Sequence, residues 1–359
     1  MPNSIISPDS IKSAIERDLF IDGEPAKVHI LRNHHGMMAT FMDIGATWLS
    51  CQLPTSSCPR EVLLGMTSLR DYQSHLAFLG ATIGRFANRI ANGQFSLNGQ
   101  TYSITRNNNG NSLHGGVEGF DKRRWLVKDK SDAHITYCLM SPDGDQGFPG
   151  NLTAEVAYTL TENNQLCIEY SALCDQNCPI NLTNHAYFNL DGAESGHTIL
   201  DHELQLLANE YLPTDDQLIP TGELKTVQGS SFDFTSAQVI GDRLLQDEDQ
   251  KLAKGYDHAF TLPEELTDGV STIARLTSSD KLVEMSVFTD KPAIQFYSGN
   301  FLAGTPSRNG EYRDYQGLAL ETQFLPDCPN HPEWPEANKR FITQKSFYQH
   351  QTSYQFSFQ

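Results

Sequence analysis

The amino-acid sequence predicts an all-β protein, a large antiparallel β-sandwich with few short helices. Three observations predict it. Turn residues flanked by β-branched or alternating segments recur along the chain, which is hairpin chemistry. Strand-like segments continue from residue 28 to residue 358 with no Gly/Ser or Pro-rich linker, charge block or internal repeat. Helical periodicity is confined to short stretches. We read residues 1–24 as an N-terminal extension and 25–359 as a single sandwich domain of roughly fifteen to twenty strands.

In chain order, Ser10 is placed to cap a short helix over Ile11–Leu19, with Ile11, Ile15 and Leu19 along one side. Val28–Leu31 and Met38–Leu49 read as strands, and Leu69–Leu79 is the best helical pattern. Phe95–Leu97 and Thr101–Ile104 flank Asn98-Gly99, a dipeptide suited to the positive φ angles of a tight hairpin. Arg124–Val127 and His134–Leu139 read as strands. Leu152–Leu160 and Gln165–Ala172 form a second hairpin around Asn163-Asn164, and Ile273–Leu276 with Leu282–Phe288 form a third around Ser278–Asp280. Ser236–Leu244 is a weaker helical candidate. Ala293–Tyr297, Leu318–Phe324 and Ser346–Phe358 complete the strands.

Composition narrows the function. The formal net charge is −18, from 44 acidic against 26 basic residues, which disfavours nucleic acid and highly phosphorylated ligands. No run of 18 or more apolar residues occurs, so no membrane-spanning segment is expected. The first residues lack a basic and then apolar leader pattern. Seven cysteines at irregular spacing fit reduced thiols better than a disulfide framework, so a cytoplasmic location is expected. Cys174 and Cys178 form a lone CxxxC with no second pair. That is poor evidence for zinc, and no metal is expected.

The segment Asn181–Leu190 alternates. Leu182, Asn184, Ala186, Phe188 and Leu190 are mostly apolar, whereas Asn181, Thr183, His185, Tyr187 and Asn189 are polar but uncharged. It reads as one strand with a core face and a wet face, and the wet face suits a small neutral polyhydroxylated ligand. Leu318–Phe324 sets Glu321 and Gln323 opposite Leu318, Leu320 and Phe324; a carboxylate in such a strand is desolvated, paired or functional unless the strand lies at an edge. Gln295 has the same relation to its strand. His114 sits before Gly115-Gly116, glycines that would let the backbone approach a ligand. Arg85 and Arg89 flank Asn88, and either arginine has the fork geometry for a hydroxyl pair or a carboxylate. His197 and His202 read as surface residues. There is no dinucleotide, P-loop or serine-hydrolase motif.

Taken together, Gly84-Arg-Phe-Ala-Asn-Arg-Ile90, Ser112-Leu-His-Gly-Gly116, Asn181–Leu190, Gly255-Tyr-Asp-His258, Gln295-Phe-Tyr-Ser-Gly-Asn300 and Leu320-Glu-Thr-Gln323 resemble the aldose 1-epimerase (galactose mutarotase) family. The resemblance runs from about residue 25 to the C-terminus, with the motifs in the family's order. It implies the galactose mutarotase-like supersandwich fold and interconversion of the α and β anomers of free hexoses such as D-galactose and D-glucose. By the same resemblance, His185 is the general acid and Glu321 the general base. Asn88, Arg89, His114, Tyr187, Asp257 and Gln295 would bind the sugar's hydroxyls. A monosaccharide is the implied partner, with no cofactor, nucleic acid or membrane, and a monomer or homodimer is expected. His185 is expected to stay partly protonated near neutrality and Glu321 to be tuned by Arg or His neighbours, giving a bell-shaped profile within roughly pH 5–9.

Three other functions compete. A hexose-6-phosphate 1-epimerase would need additional basic residues in the pocket. A non-catalytic sugar-binding protein would be expected to lack His185 or Glu321. A glycoside hydrolase or lyase would use Glu321 and Asp257 as a carboxylate pair at a defined separation.

Overall fold

A computed structural model describes residues 6–56, 58–334, 341–342 and 346–359. The three largest sheets have nine, six and four strands, and every paired strand in them is antiparallel to its neighbour. The nine-stranded sheet runs in the order Leu126–Lys130, His134–Ser141, Leu152–Leu160, Gln165–Cys174, Tyr348–Phe358, Val283–Thr289, Thr272–Thr277, Glu203–Leu206, Gln238–Val239. Period-2 alternation builds it: along Leu152–Leu160 every second side chain is buried, the signature of a sheet with one face on a core. The C-terminal strand Tyr348–Phe358 lies at its centre, between strands distant in sequence.

The six-stranded sheet follows the order Tyr187–Phe188, Leu318–Gln323, Ala293–Tyr297, Asp257–Thr261, Glu210–Tyr211, Lys225–Thr226. All six residues of Leu318–Gln323 are buried, so this strand is covered on both faces and is not at an edge. Aromatic side chains fill the core between layers. Trp48 meets Phe188 at 5.7 Å and Tyr354 at 5.9 Å between ring centres, and Phe41 meets Tyr158 at 4.3 Å.

The hairpins lie where expected. Gln94–Leu97 pairs with Gln100–Ser103, with Asn98 and Gly99 at φ 53° and 77°, the two left-handed positions of a type I′ turn. Leu152–Leu160 pairs with Gln165–Cys174, and Thr272–Thr277 with Val283–Thr289.

Other expectations need correction. The N-terminal helix is Pro8–Ile15, capped by Ser7 rather than Ser10. Ile11 and Ile15 are buried with Phe20 against Val28, Met42, Ile44, Leu49 and Leu69, whereas Leu19 is exposed. Met38–Leu49 is two strands, Met38–Met42 and Thr47–Leu53, because Gly45 and Ala46 take positive φ and turn the chain. The second helix stops at Ser74. Ser236–Leu244 holds a two-residue strand and one 3₁₀ turn, and the α-helix lies just beyond, at Glu248–Ala253, capped by Asp247. Among the described residues no helix is long and apolar enough to cross a membrane.

Candidate active site

The six-stranded sheet positions one side of a pocket by register alone. Glu321 stands opposite Gln295, which stands opposite Ala259. One pleat along, Tyr187 faces Ala319, Ala319 faces Tyr297, and Tyr297 faces Asp257. Cross-strand partners share a face, and so do residues two apart on one strand. Tyr187, Glu321, Gln295, Tyr297 and Asp257 therefore project from the same face.

Asn181–Leu190, which the sequence presents as one strand, forms two two-residue strands in different sheets, Thr183–Asn184 and Tyr187–Phe188. Its backbone bonds to loops instead. Asn181 N–H donates to Arg85 O, His185 N–H to Ala81 O, and Asn189 N–H to Val62 O. Both of its faces are buried. Of its polar residues, His185 and Tyr187 line the pocket. Asn181 and Asn189 satisfy neighbouring carbonyls with their amides.

A pair of short strands, Arg89–Ile90 and Ser112–Leu113, supplies the facing side. His114 N–H donates to Asn88 O, and Asn88 N–H donates to His114 Nδ1, each at 3.1 Å. With Nδ1 accepting, the neutral ring carries its proton on Nε2. Gly115 works differently from the sequence expectation: at φ 88°, a Cβ on it would lie 1.9 Å from Gly84 O. Its glycine lets two loops close on each other rather than on a ligand. Asn88 Oδ1 accepts from Arg89 N–H at 2.8 Å, and Arg89 Nε donates to Asn108 Oδ1 at 3.2 Å. Arg85 turns away from the pocket, almost fully buried, and donates to Ser141 and to the carbonyls of Pro142 and Pro149.

The result is a cavity of about 410 Å³ lined by Asn88, Arg89, His114, His185, Tyr187, Asp257 and Glu321. Gln295 lies beneath it, donating through Nε2 to Asp257 Oδ1 at 2.7 Å. The structure thus brings all eight expected residues together. His185 Nε2 lies 3.5 Å from Glu321 Oε1. The imidazole stacks with Tyr187 at 4.8 Å and with Phe78 at 5.9 Å, with the His114 ring edge-on at 5.2 Å. Among the described residues, Gln295 Oε1 and Glu321 Oε2 have no hydrogen-bond partner. Buried groups of this kind are normally satisfied, so they are available to a ligand's hydroxyls.

Burial sets the electrostatics. It pulls His185 down to about 4 and pushes Glu321 well above the carboxylate range, with Asp257 adding to the push. Burial also raises Asp257, opposed by Arg89 and Gln295, and lowers His114, with His185 and Arg89 adding to it. Both expectations from sequence are revised: His185 is neutral at neutrality, and Glu321 is tuned by desolvation and a carboxylate rather than by a cation. His202 is also corrected, being fully buried with Nε2 accepting from Leu190 N–H at 2.9 Å.

Several lining residues went unassigned. Tyr297 was readable, since it sits two residues after Gln295 on one strand. Phe78, Asp216–Leu218 and Phe301 reach the rim from remote loops and Leu252 from the helix Glu248–Ala253, and nothing local in the sequence announces the loop residues. Asn111 Nδ2 donates to Gln217 Oε1 at 3.1 Å, which ties one of these loops to the Ser112–His114 segment. A second, more apolar cavity of about 300 Å³ is also lined by Phe78 and contains none of the eight.

A family model described as aldose 1-epimerase matches residues 27–355. The chain belongs to the aldose 1-epimerase family. It is 52% identical to the aldose 1-epimerase of Escherichia coli K12 over 337 residues, covering 93% of this chain and 96% of that one. It is 41% identical to the human galactose mutarotase over 299 residues, covering 83% and 84%. Among solved structures, an aldose epimerase homologue from C. elegans superposes with a TM-score of 0.84 at 30% identity, over 93% of this chain and 99% of that one. A galactose 1-epimerase from Lactobacillus acidophilus gives 0.82 at 28% identity, over 94% and 96%.

Proposed function

We propose that this chain is an aldose 1-epimerase that interconverts the α and β anomers of free hexoses, D-galactose and D-glucose among them, with His185 and Glu321 as its proton-transferring pair. The observation that carries the reading is the 3.5 Å approach of His185 Nε2 to Glu321 Oε1 inside a pocket lined largely by polar side chains.

Anomer exchange needs a proton taken from the O1 hydroxyl and one delivered to the ring oxygen O5. The C1–O5 bond then breaks, C1 becomes an aldehyde, rotation about C1–C2 presents its other face, and the ring recloses. Glu321 as carboxylate accepts the O1 proton, and His185 as imidazolium protonates O5. After opening, the pair is a neutral acid and a neutral imidazole, the state that burial favours. Reclosure runs the two transfers backward and restores the starting pair. The dyad therefore needs one proton shared between two groups, and each transfer contributes roughly 10²–10⁴-fold.

The remaining residues hold the ring still while this happens. His114 offers its Nε2–H as a donor. Arg89 offers a donor fork and Asp257 a carboxylate acceptor, each under the other's electrostatic influence; Asn88 offers its side-chain amide N–H groups, and Gln295 its Oε1, which has no partner among the described residues. Tyr187 presents a ring face beside His185. Fixing the hydroxyls matters because water performs the same chemistry slowly, so orientation is much of the gain. Among the described lining residues Arg89 is the one lysine or arginine, which favours a free hexose over a hexose phosphate. Optical rotation of freshly dissolved α-D-galactose and α-D-glucose tests the reading. The protein should shorten the approach to anomeric equilibrium, and a rate equal to the buffer blank on both free hexoses would overturn it.

A further inference from the structure

We propose that Cys174 and Cys178 form a redox-active dithiol that hydrogen peroxide closes to an intrachain disulfide, and that this closure acts on the sugar-binding segment Asn88–Arg89 through Arg85. Cys174 ends one strand and Cys178 opens the next, so only three residues separate them. The Cys178 thiol, which donates to Pro179 O at 3.2 Å, acts on the Cys174 thiol beside it. Arg85 Nη1 donates to Pro149 O at 3.0 Å and lies 3.7 Å from Cys178 Sγ, while Cys174 Sγ lies 3.7 Å from the same carbonyl. One guanidinium edge and one carbonyl thus tie both sulfurs together.

Arg85 has an unusual set of described partners for a buried guanidinium: the Ser141 hydroxyl, three carbonyls and a thiol, with no carboxylate bonded to it directly. A thiolate at Cys174 supplies a nearby negative charge. On its other side, Arg85 O accepts from Asn181 N–H at 2.9 Å, and Ala87 N–H donates to Asn181 O at 2.8 Å. Asn88 and Arg89 follow directly. A rearrangement at the sulfurs therefore reaches the pocket through three residues of backbone.

The two thiols differ in reactivity. The Cys178 thiol, helped by Gln176 N–H and Arg85, brings Cys174 down to about 7, whereas burial raises Cys51, Cys138, Cys167 and Cys178. Cys174 is 6% exposed, enough of an opening for a molecule as small as peroxide. Its thiolate attacks one peroxide oxygen. The O–O bond breaks, an S–O bond forms, and the departing hydroxide takes a proton to become water, leaving a sulfenic acid. The Cys178 sulfur, giving up its proton, then attacks the Cys174 sulfur. The S–O bond breaks, the S–S bond forms, and a second water leaves. Two thiols and one peroxide become one disulfide and two waters.

The test treats the full-length protein with hydrogen peroxide, then alkylates it and locates modified cysteines by mass spectrometry. Cys174 and Cys178 should together resist alkylation and regain it after dithiothreitol, with a rate that rises between about pH 6 and 8. In Cys178→Ser, dimedone should trap a sulfenic acid at Cys174. The oxidised protein should show a severalfold higher KM for hexose, reversed by reduction, while Cys174→Ser should show no peroxide response. If both thiols stay alkylatable while the exposed Cys58 is oxidised, the dithiol is wrong. If the disulfide forms and KM does not move, the coupling through Arg85 is wrong. The KM arm rests on the epimerase reading, whereas the thiol arm needs no sugar, so the two fail separately.

Discussion

His185 and Glu321 meet at 3.5 Å, with their side chains only 6% and 2% exposed. At that depth neither group keeps its solution behaviour. Desolvation disfavours the imidazolium and the carboxylate alike, and so holds the pair in its uncharged form with one proton between them.

That state sets the pH dependence. His185 is drawn down to about 4 and Glu321 well upward. Below about pH 4 both groups are protonated and no base remains, so kcat/KM should fall as the pH drops through that point. At the alkaline end, loss of the last proton removes the acid. Between these limits the profile should be level, which moves the acid limb below the window expected from sequence. Initial polarimetric rates from about pH 3.5 to 9 would trace both limbs. An acid limb near the ordinary imidazole value would contradict a desolvated His185.

Phe78 maintains that desolvation by stacking on His185. Replacing it with alanine should let water reach the ring and raise its pKa toward the ordinary value. The acid limb of Phe78→Ala should therefore move to higher pH. An unmoved limb together with a reduced rate would mean that Phe78 only shapes the pocket.

Arg89 should act mainly on binding. A hydrogen bond to a charged group contributes about 1.5–3 kcal/mol, so Arg89→Lys, which loses the fork, should raise KM by roughly 10–150-fold. Its kcat should change far less. Progress curves at several galactose concentrations separate the two parameters.

Much of the fold was legible in the sequence because long hairpins are local. Alternation along Leu152–Leu160 and turn chemistry at Asn98-Gly99 and Asn163-Asn164 each specify a neighbour only a few residues away. Asn181–Leu190 misled because its alternation is real while its backbone partners are Arg85, Ala81 and Val62, contacts that no local pattern encodes. The catalytic candidates were legible through polar residues set into apolar strands. Their pKa directions were not, because these depend on rings such as Phe78 and Tyr187 closing over them. The helix Glu248–Ala253 had its signal in Asp247, an N-cap followed by acidic residues in the first turn.

Lys291 offers a test of the fold away from the pocket. It is fully buried, bonded to Tyr348 Oη and Leu182 O, and burial draws it down to about 7. Below that pH the folded protein must bear a buried ammonium. Between about 7 and the ordinary lysine value the unfolded chain binds the extra proton, so stability should rise with pH there by up to a few kcal/mol. Denaturant midpoints of the wild type relative to Lys291→Met should show that slope, and a constant difference would contradict it.

The most direct test of the account is polarimetry on fresh α-D-galactose and α-D-glucose with the wild type, His185→Asn and Glu321→Gln. The wild type should speed mutarotation of both sugars. Each variant should lose roughly 10²–10⁴-fold in kcat, and the double variant should be little worse than either one, as for groups that act as a unit. If either single variant keeps wild-type kcat, the His185–Glu321 pair is not the proton-transferring centre.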